Sequence, residues 1–369
     1  MTDPRVEKLA ELLVRYSAPV KPGDRVVIEA DALAAPLIRA VYAHVLQAGG
    51  HPLVLAQLEG LDETFFRYAS EEQLKHVSEV SKLIINTYDV RIALVADHNT
   101  KALSNIDPAR MVLRSRARTE LMETFMRRAA AGELKWTLTI FPTNAFAQDA
   151  EMSLDEYEDF VYGACLPDMN DPVGYWQRFS AWQQKIVDWF KDKKEVHITA
   201  PGTDLRLSVA GRTFQNCDGH YNMPDGEVFT GPVEDSLEGH VLFSYPAIHQ
   251  GREVTGVRLW FEKGRVVKAT ADKNEEYLLK TLDTDEGARR VGEFAIGTNE
   301  GITRFTREIL FDEKINGSFH LALGAGYPET GSQNKSAIHW DMICDLRQGG
   351  EIRVDGQLLH KDGRFVIEF

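Results

Sequence analysis

GSFHLALGAGYPETGSQNKSAIHWD, residues 317–341, is the stretch from which the fold is best read. Its first part alternates, with Phe319, Leu321 and Leu323 on one face and Ser318, His320 and Ala322 on the other. That period of two belongs to a half-buried strand. The continuation SAIHWDMICD alternates too, setting Ile338, Trp340 and Met342 against His339, Asp341 and Ile343. In a strand, residues i and i+2 share a face, so His339 and Asp341 point the same way. The intervening residues 324–335 are rich in Gly, Pro, Ser and Asn and read as a turn. It is long enough to bring His320 back beside that pair. Two imidazoles and a carboxylate on paired strand faces can hold a divalent metal.

The chain around this stretch has 369 residues, which suggests about two domains. Its 42 Lys and Arg against 56 Asp and Glu give a net charge of −14. Binding to nucleic acid or to an anionic membrane surface needs the opposite sign, so neither is expected as a partner. No apolar run approaches the roughly 18 residues that cross a bilayer. The opening MTDPRVEKLAELLVRY is charged and amphipathic, unlike a secretory signal. Cys165, Cys217 and Cys344 are widely spaced and form no CxxC pair. A disulfide framework and a thiolate zinc site are therefore disfavoured, and a reducing cytoplasm fits. A metal in this chain would draw on histidines and carboxylates.

In the first half, helical spacing over 6–16 is followed by Pro19, Pro22 and Gly23, then a strand over 25–29. A helix over 35–47 carries Pro36 near its first turn and stops at Gly49-Gly50, before an apolar run at 53–58. Strand, helix, strand in that compass is a βαβ unit. The pattern continues with a helix over 71–80, apolar runs at 83–85 and 92–95, a long helix over 108–130 and a strand over 135–141. Ser153 and Glu156 have capping-box spacing. No GxGxxG follows the first strand and no Walker-type loop occurs, so nucleotide binding has no support. The helix opened by Asp171-Pro172 carries Trp176, Phe179, Ile186, Trp189 and Phe190 on one side, a packing stripe.

Beyond residue 192 the texture changes to short, alternating, glycine-punctuated runs at 196–198, 204–209, 240–243, 256–261 and 265–270. A helix is expected over 285–294, and strands close the chain at 351–354 and 364–369. The expected architecture is an α/β N-terminal domain of βαβ layers, 1–192. An α+β, largely antiparallel, barrel-like domain over 193–369 would carry the metal site.

Further acids in the second half can complete a metal site. Glu227 follows a Pro-Asp-Gly turn, where a solvent-exposed glutamate is the ordinary reading. Glu293 lies between Val291-Gly292 and Phe294-Ala295-Ile296, and an acid in so apolar a segment is either paired or coordinated. Asp312 and Glu313 precede the His320 strand, where surface placement is again the plain alternative. Glu227, Glu293, Glu313, His320, His339 and Asp341 together offer four carboxylates and two imidazoles. Four negative charges balance two divalent cations, and this donor set suits Zn, Co or Mn. Two such metals can activate a water, polarise a carbonyl and hold a free amine, as hydrolysis at a peptide N-terminus requires.

At these residues the sequence resembles the thermophilic metallo-aminopeptidases of the aminopeptidase T and aminopeptidase S type. The resemblance rests on NMPDGEVFTGP (222–232), GEFAIGTN (292–299), LFDEKINGSFHLALGAGYPET (310–330) and NKSAIHWDMI (334–343), and it extends across the full chain. It implies an α/β first domain, a second domain with a dinuclear site, and a homodimer. It places Glu227, Glu293, Glu313, His320, His339 and Asp341 as metal ligands, and Tyr327 as a tyrosine that assists catalysis. The expected function is a cytoplasmic, metal-dependent aminopeptidase acting on short peptides. Tyr327 would steady the developing oxyanion, and Glu227 or Glu293 would carry the proton to the leaving amine. Two rivals stand beside it: a mononuclear Fe(II) oxygenase using His339, Asp341 and another histidine, and a non-enzymatic carrier whose metal is structural. The oxygenase reading leaves Glu227 and Glu293 without a task.

Overall fold

Val26, Val27 and Ile28 have no exposed surface in the strand Arg25–Asp31, which lies inside a parallel sheet. A computed structural model supplies the coordinates, and residues 3–369 are described. The sheet runs in the order His51–Gln57, Arg25–Asp31, Val90–Val95, Lys135–Ile140, Asn222–Met223, every pair parallel. Helix Ala35–Gln47, with Pro36 in its first turn, makes the first crossover and packs Leu37, Val41 and Val45 inward. The expected βαβ unit is thus present.

Two expected helices divide, and an apolar run joins one of them. The helix over 71–80 is two short ones, Glu71–Lys75 and Glu79–Thr87, because Ser78 starts a new cap by accepting the Val80 amide (3.2 Å). The apolar residues 83–85 fall within the second of these. The long helix over 108–130 divides into Pro108–Ala117 and Thr119–Ala130, since Arg118 leaves helical geometry at φ −96°, ψ 1°. Ser153 and Glu156 do form their capping box.

The chain divides into two compact units, Met1–Trp176 with Gly219–Pro224, and Gln177–Asp218 with Asp225–Phe369. Helix Pro172–Trp189 counts with the second unit from Gln177 on, and its Ile186 and Val187, with Phe190 just after it, are buried in that unit's core. In this unit the barrel-like arrangement expected of the strands takes the form of separate open sheets. One has eight strands, one has five, and a two-stranded ribbon accompanies them. The two larger sheets contribute to one apolar core.

The helix expected over 285–294 is instead a single turn, Gly287–Arg289, followed by the strand Val291–Gly297. That strand is buried along its whole length and hydrogen-bonded on both sides. A central strand covered on both faces needs no alternation of apolar and polar residues, so its sequence reads as a plain apolar run. Likewise the closing strand shrinks from 364–369 to Arg364–Phe365.

Candidate metal centre

Four strands of the five-stranded sheet build the site: Glu227–Thr230, Val291–Gly297, Ser318–Gly324 and His339–Asp345, each antiparallel to its neighbour. Alternation sends Val228, Phe294, Ile296, Phe319, Leu321, Leu323, Trp340 and Met342 into the apolar core. Glu227, Glu293, His320, His339 and Asp341 are thereby left on the opposite face. Register then places small residues among the large ones. Ala322 pairs with Glu293 on one side and Asp341 on the other, Ala295 pairs with His320, Gly297 with Glu227, and Gly324 with His339. Gly324 has φ +102°, and a Cβ there would meet the Ile338 carbonyl oxygen at 2.1 Å. Only glycine fits that position.

The six residues singled out in the sequence come together in overlapping groups: Glu227, Glu293 and His320; Glu293, His339 and Asp341; Glu313, His320 and Asp341. Within each group the potential ligand atoms lie within 4.8 Å of one another. His320 Nε2 stands 3.4 Å from Glu227 and 3.7 Å from Glu293. His339 Nε2 stands 3.3 Å from Glu293 and 3.4 Å from Asp341. Glu313 enters from outside the sheet, directly after the short helix Ile309–Asp312. Glu227 and Glu293 are 6% and 4% exposed, so neither is the solvent-facing turn glutamate that local sequence favours for Glu227.

Whether this pocket suits a divalent cation is answered by its hydrogen bonds. His320 Nδ1 faces the Glu313 carbonyl at 3.0 Å, and His339 Nδ1 faces the Ala325 carbonyl at 2.9 Å. A carbonyl only accepts, so both rings donate from Nδ1 and turn Nε2 toward the carboxylates, where it carries a proton or, once that proton leaves, a lone pair for a cation. Glu227 Oε2 and Asp341 Oδ1 are buried without a hydrogen-bond donor, although an imidazole Nε2 lies 3.4 Å from each. Buried carboxylate oxygens are normally satisfied. Two ring nitrogens and several carboxylate oxygens converging on one another are satisfied either by protons on Nε2 or by a cation in their place.

Protonation shows the same demand for positive charge. Burial alone would lower the His339 pKa; Asp341 and Glu293 overcome it and raise it to about 12. His320, pulled down by burial and lifted by Glu293 and Glu227, rises to about 9. Glu227 is pushed well up by burial, against the lowering influence of Lys314. Glu293 stays low despite burial because both imidazoles hydrogen-bond to it. Protons thus occupy positions that a metal would take, and metal binding must release them.

Tyr327 borders the group. Its ring lies edge-on to His339, with 5.3 Å between centres, and desolvation and the Glu293 charge raise its pKa. It is therefore a neutral hydroxyl, able to donate, at neutral pH. The strand order also brings in residues that spacing did not reveal. Asp225 and Cys217 form a further close group with Glu227, and Lys314 is fully buried with its ammonium on Glu313 and 3.8 Å from Glu227. Gln183, from the long helix, donates to the Glu227 carbonyl at 2.8 Å and fixes the start of that strand. Gly226, between Asp225 and Glu227, has φ +129°, and a Cβ there would meet Asn299 Cβ at 2.7 Å, so only glycine fits. The signal for Asp225 and Lys314 was adjacency: each sits within two residues of a candidate ligand.

The description of the thermophilic metalloproteases (M29) matches residues 2–365. Aminopeptidase 2 of Geobacillus stearothermophilus is 27% identical over 405 residues, covering 97% of this chain and 95% of that protein. Aminopeptidase T of Thermus thermophilus is also 27% identical over 405 residues, with the same two coverages of 97% and 95%. Among solved structures, wild-type AmpT from Thermus thermophilus matches with a TM-score of 0.85 and 25% identity, over 98% of this chain and 99% of that one. The 2,5-dihydroxypyridine dioxygenase of Pseudomonas putida shares the fold alone, at a TM-score of 0.59 and 11% identity over 98% and 96% of the two chains.

Proposed function

The chain belongs to the thermophilic metalloprotease family (M29), and from that premise we propose a metal-dependent aminopeptidase that removes the N-terminal residue of short peptides. The ligands in this reading are Glu227, Glu293, Glu313, His320, His339 and Asp341, holding two divalent ions of Zn, Co or Mn. Catalysis is assigned to the β-rich domain over 193–369. When bound, the cations supply Lewis acidity, acidifying a water and polarising the first peptide carbonyl.

The chain's own groups do the rest. Tyr327 donates its hydroxyl to the oxygen that gains charge as the carbonyl is attacked. Glu227 or Glu293 takes the proton from the attacking water and returns it to the departing amine. The burial of both acids keeps bulk water from competing for that proton. The relatives named as aminopeptidases support the choice of an exopeptidase. A homodimer in the cytoplasm completes the reading; three free cysteines without a disulfide suit a reducing compartment.

One observation carries the proposal: two Nε2 atoms, fixed by carbonyls behind them, converge on the buried carboxylates Glu227, Glu293 and Asp341. The test compares leucyl-p-nitroanilide with its N-acetyl derivative, before and after exhaustive chelation and after re-addition of Zn, Co or Mn. Cleavage of the free-amine substrate alone, lost on chelation and restored by metal, is expected. Hydrolysis indifferent to the chelator, or equal on the acetylated substrate, overturns the proposal.

A further inference from the structure

Lys314 is the one lysine among the described residues that is fully buried. Its backbone is held from both sides: its amide donates to the Phe311 carbonyl (3.0 Å) and its carbonyl accepts from Asn299 (3.1 Å). The side chain is thereby directed at acids of the candidate metal centre. The ammonium touches Glu313 and lies 3.8 Å from Glu227 Oε1, and Asp225 is close enough to act on it electrostatically. An ammonium has no lone pair and cannot itself ligate a metal.

The charges can be counted. Asp225, Glu227, Glu293, Glu313 and Asp341 are five carboxylates in one set of overlapping groups. Glu313 is in contact with the Lys314 ammonium and Glu227 lies 3.8 Å from it, so the lysine offsets part of their charge. An unpaired carboxylate at this depth would be very costly.

We propose that Lys314 is a positioning residue of the metal centre, a buried cation that holds Glu227 and Glu313 in place whether or not metal is bound. This rests on the metal-dependent reading above. In the metal-free protein Lys314 stands against acids that otherwise repel one another. In the loaded protein the metals take over most of that work. Its loss should therefore be felt mainly when metal is absent.

Thermal melts of the full chain, chelated and metal-loaded, compare wild type with Lys314→Met, Lys314→Gln and the double variant Lys314→Met/Glu313→Gln. The double variant restores the charge balance by removing one acid together with the lysine. Each single variant is expected to melt about 10 °C below wild type when chelated, and less than half as far below it when loaded. The chelated double variant is expected to recover most of the loss. Single variants lowered equally in both states, or a double variant no better than Lys314→Met, overturn the inference, since a purely structural lysine would behave that way. A Lys314→Met chain that folds only with metal meets the expectation; one unfolded in both states, with the double variant also unfolded, refutes it. Failure of the underlying reading looks different: wild type itself would gain no thermal stability from metal.

Discussion

The second unit contains two antiparallel sheets with opposite solutions to the same problem. Each turns one face to a shared apolar core and carries charge on the other. On the eight-stranded sheet the outward charges are exposed and locally matched: Arg206 reaches Glu195 at 2.9 Å, and His197 reaches Asp204 at 2.8 Å. On the five-stranded sheet Glu227, Glu293 and His320 are buried, and the acids outnumber the bases around them. Exposed pairs contribute roughly 0–1 kcal/mol. Buried ones commonly cost more than an apolar replacement, by about 1–4 kcal/mol. The first arrangement costs the fold little; the second is a cost in stability that packing alone does not require. A sheet face that departs from the cheaper solution is therefore a functional signal independent of any motif.

The comparison is sharpened most by changing one atom on the buried face. Glu293→Gln should lower release of amino acids from aminoacyl-p-nitroanilides by at least about 10³-fold, the scale of losing a group that acts on the transition state. Its circular-dichroism spectrum should match wild type. Near-normal turnover would mean that Glu293 is ordinary buried polarity. Next comes the core side of the same sheet. Phe319→Ala, one residue before His320, should cost about 3–5 kcal/mol in urea unfolding, because Phe319 is completely buried between the sheets. A loss below about 1 kcal/mol would show that the two faces are not divided as described.

A third effect comes from a histidine with no carboxylate cluster around it. His360, in the strand Gln357–Lys361, is completely buried, and burial lowers its pKa from 6.5 to about 4. The unfolded chain then binds the proton more readily than the folded one. The contribution is fully present above about pH 6.5 and is lost as pH falls toward 4, the reverse of His320 and His339, whose folded values are raised. A pKa lowered from 6.5 to about 4 corresponds to about 3 kcal/mol. Urea melts between pH 7 and 4 should show that slope in wild type and a shallower one in His360→Leu. Equal slopes would place the pH dependence elsewhere.

The legible part of this chain was the part that alternates. Strand periodicity in 318–324 and 338–343 placed His320, His339 and Asp341 on one face, and the observed register has them there. The βαβ opening was legible through Pro36 and the glycine stop after residue 47. Glu293 stands out for its apolar neighbours, yet its segment reads as a helix, because a strand covered on both faces gives no alternation to read. The break at Arg118 leaves no Pro or Gly in the sequence to announce it. Lys314 stayed invisible for another reason: a lysine beside Asp312 and Glu313 looks like an ordinary charged surface run, and only tertiary packing buries it.

The smallest effect tests the other side of the comparison. Arg206 and Glu195 are 54% and 59% exposed, so their 2.9 Å contact competes with water at both ends. Two flexible side chains must also be ordered to make it. Arg206→Ala should therefore change unfolding free energy by no more than about 0.5 kcal/mol, and adding 0.5 M salt should erase even that. Activity should be unchanged, since the residue lies on the sheet that carries none of the proposed ligands. A change above about 2 kcal/mol would show that the outer face of the eight-stranded sheet is covered by something, such as a second copy of the chain. Sedimentation of wild type and Arg206→Ala over a hundredfold range of protein concentration would separate that case, because only a contact made through this face shifts association when Arg206 is removed.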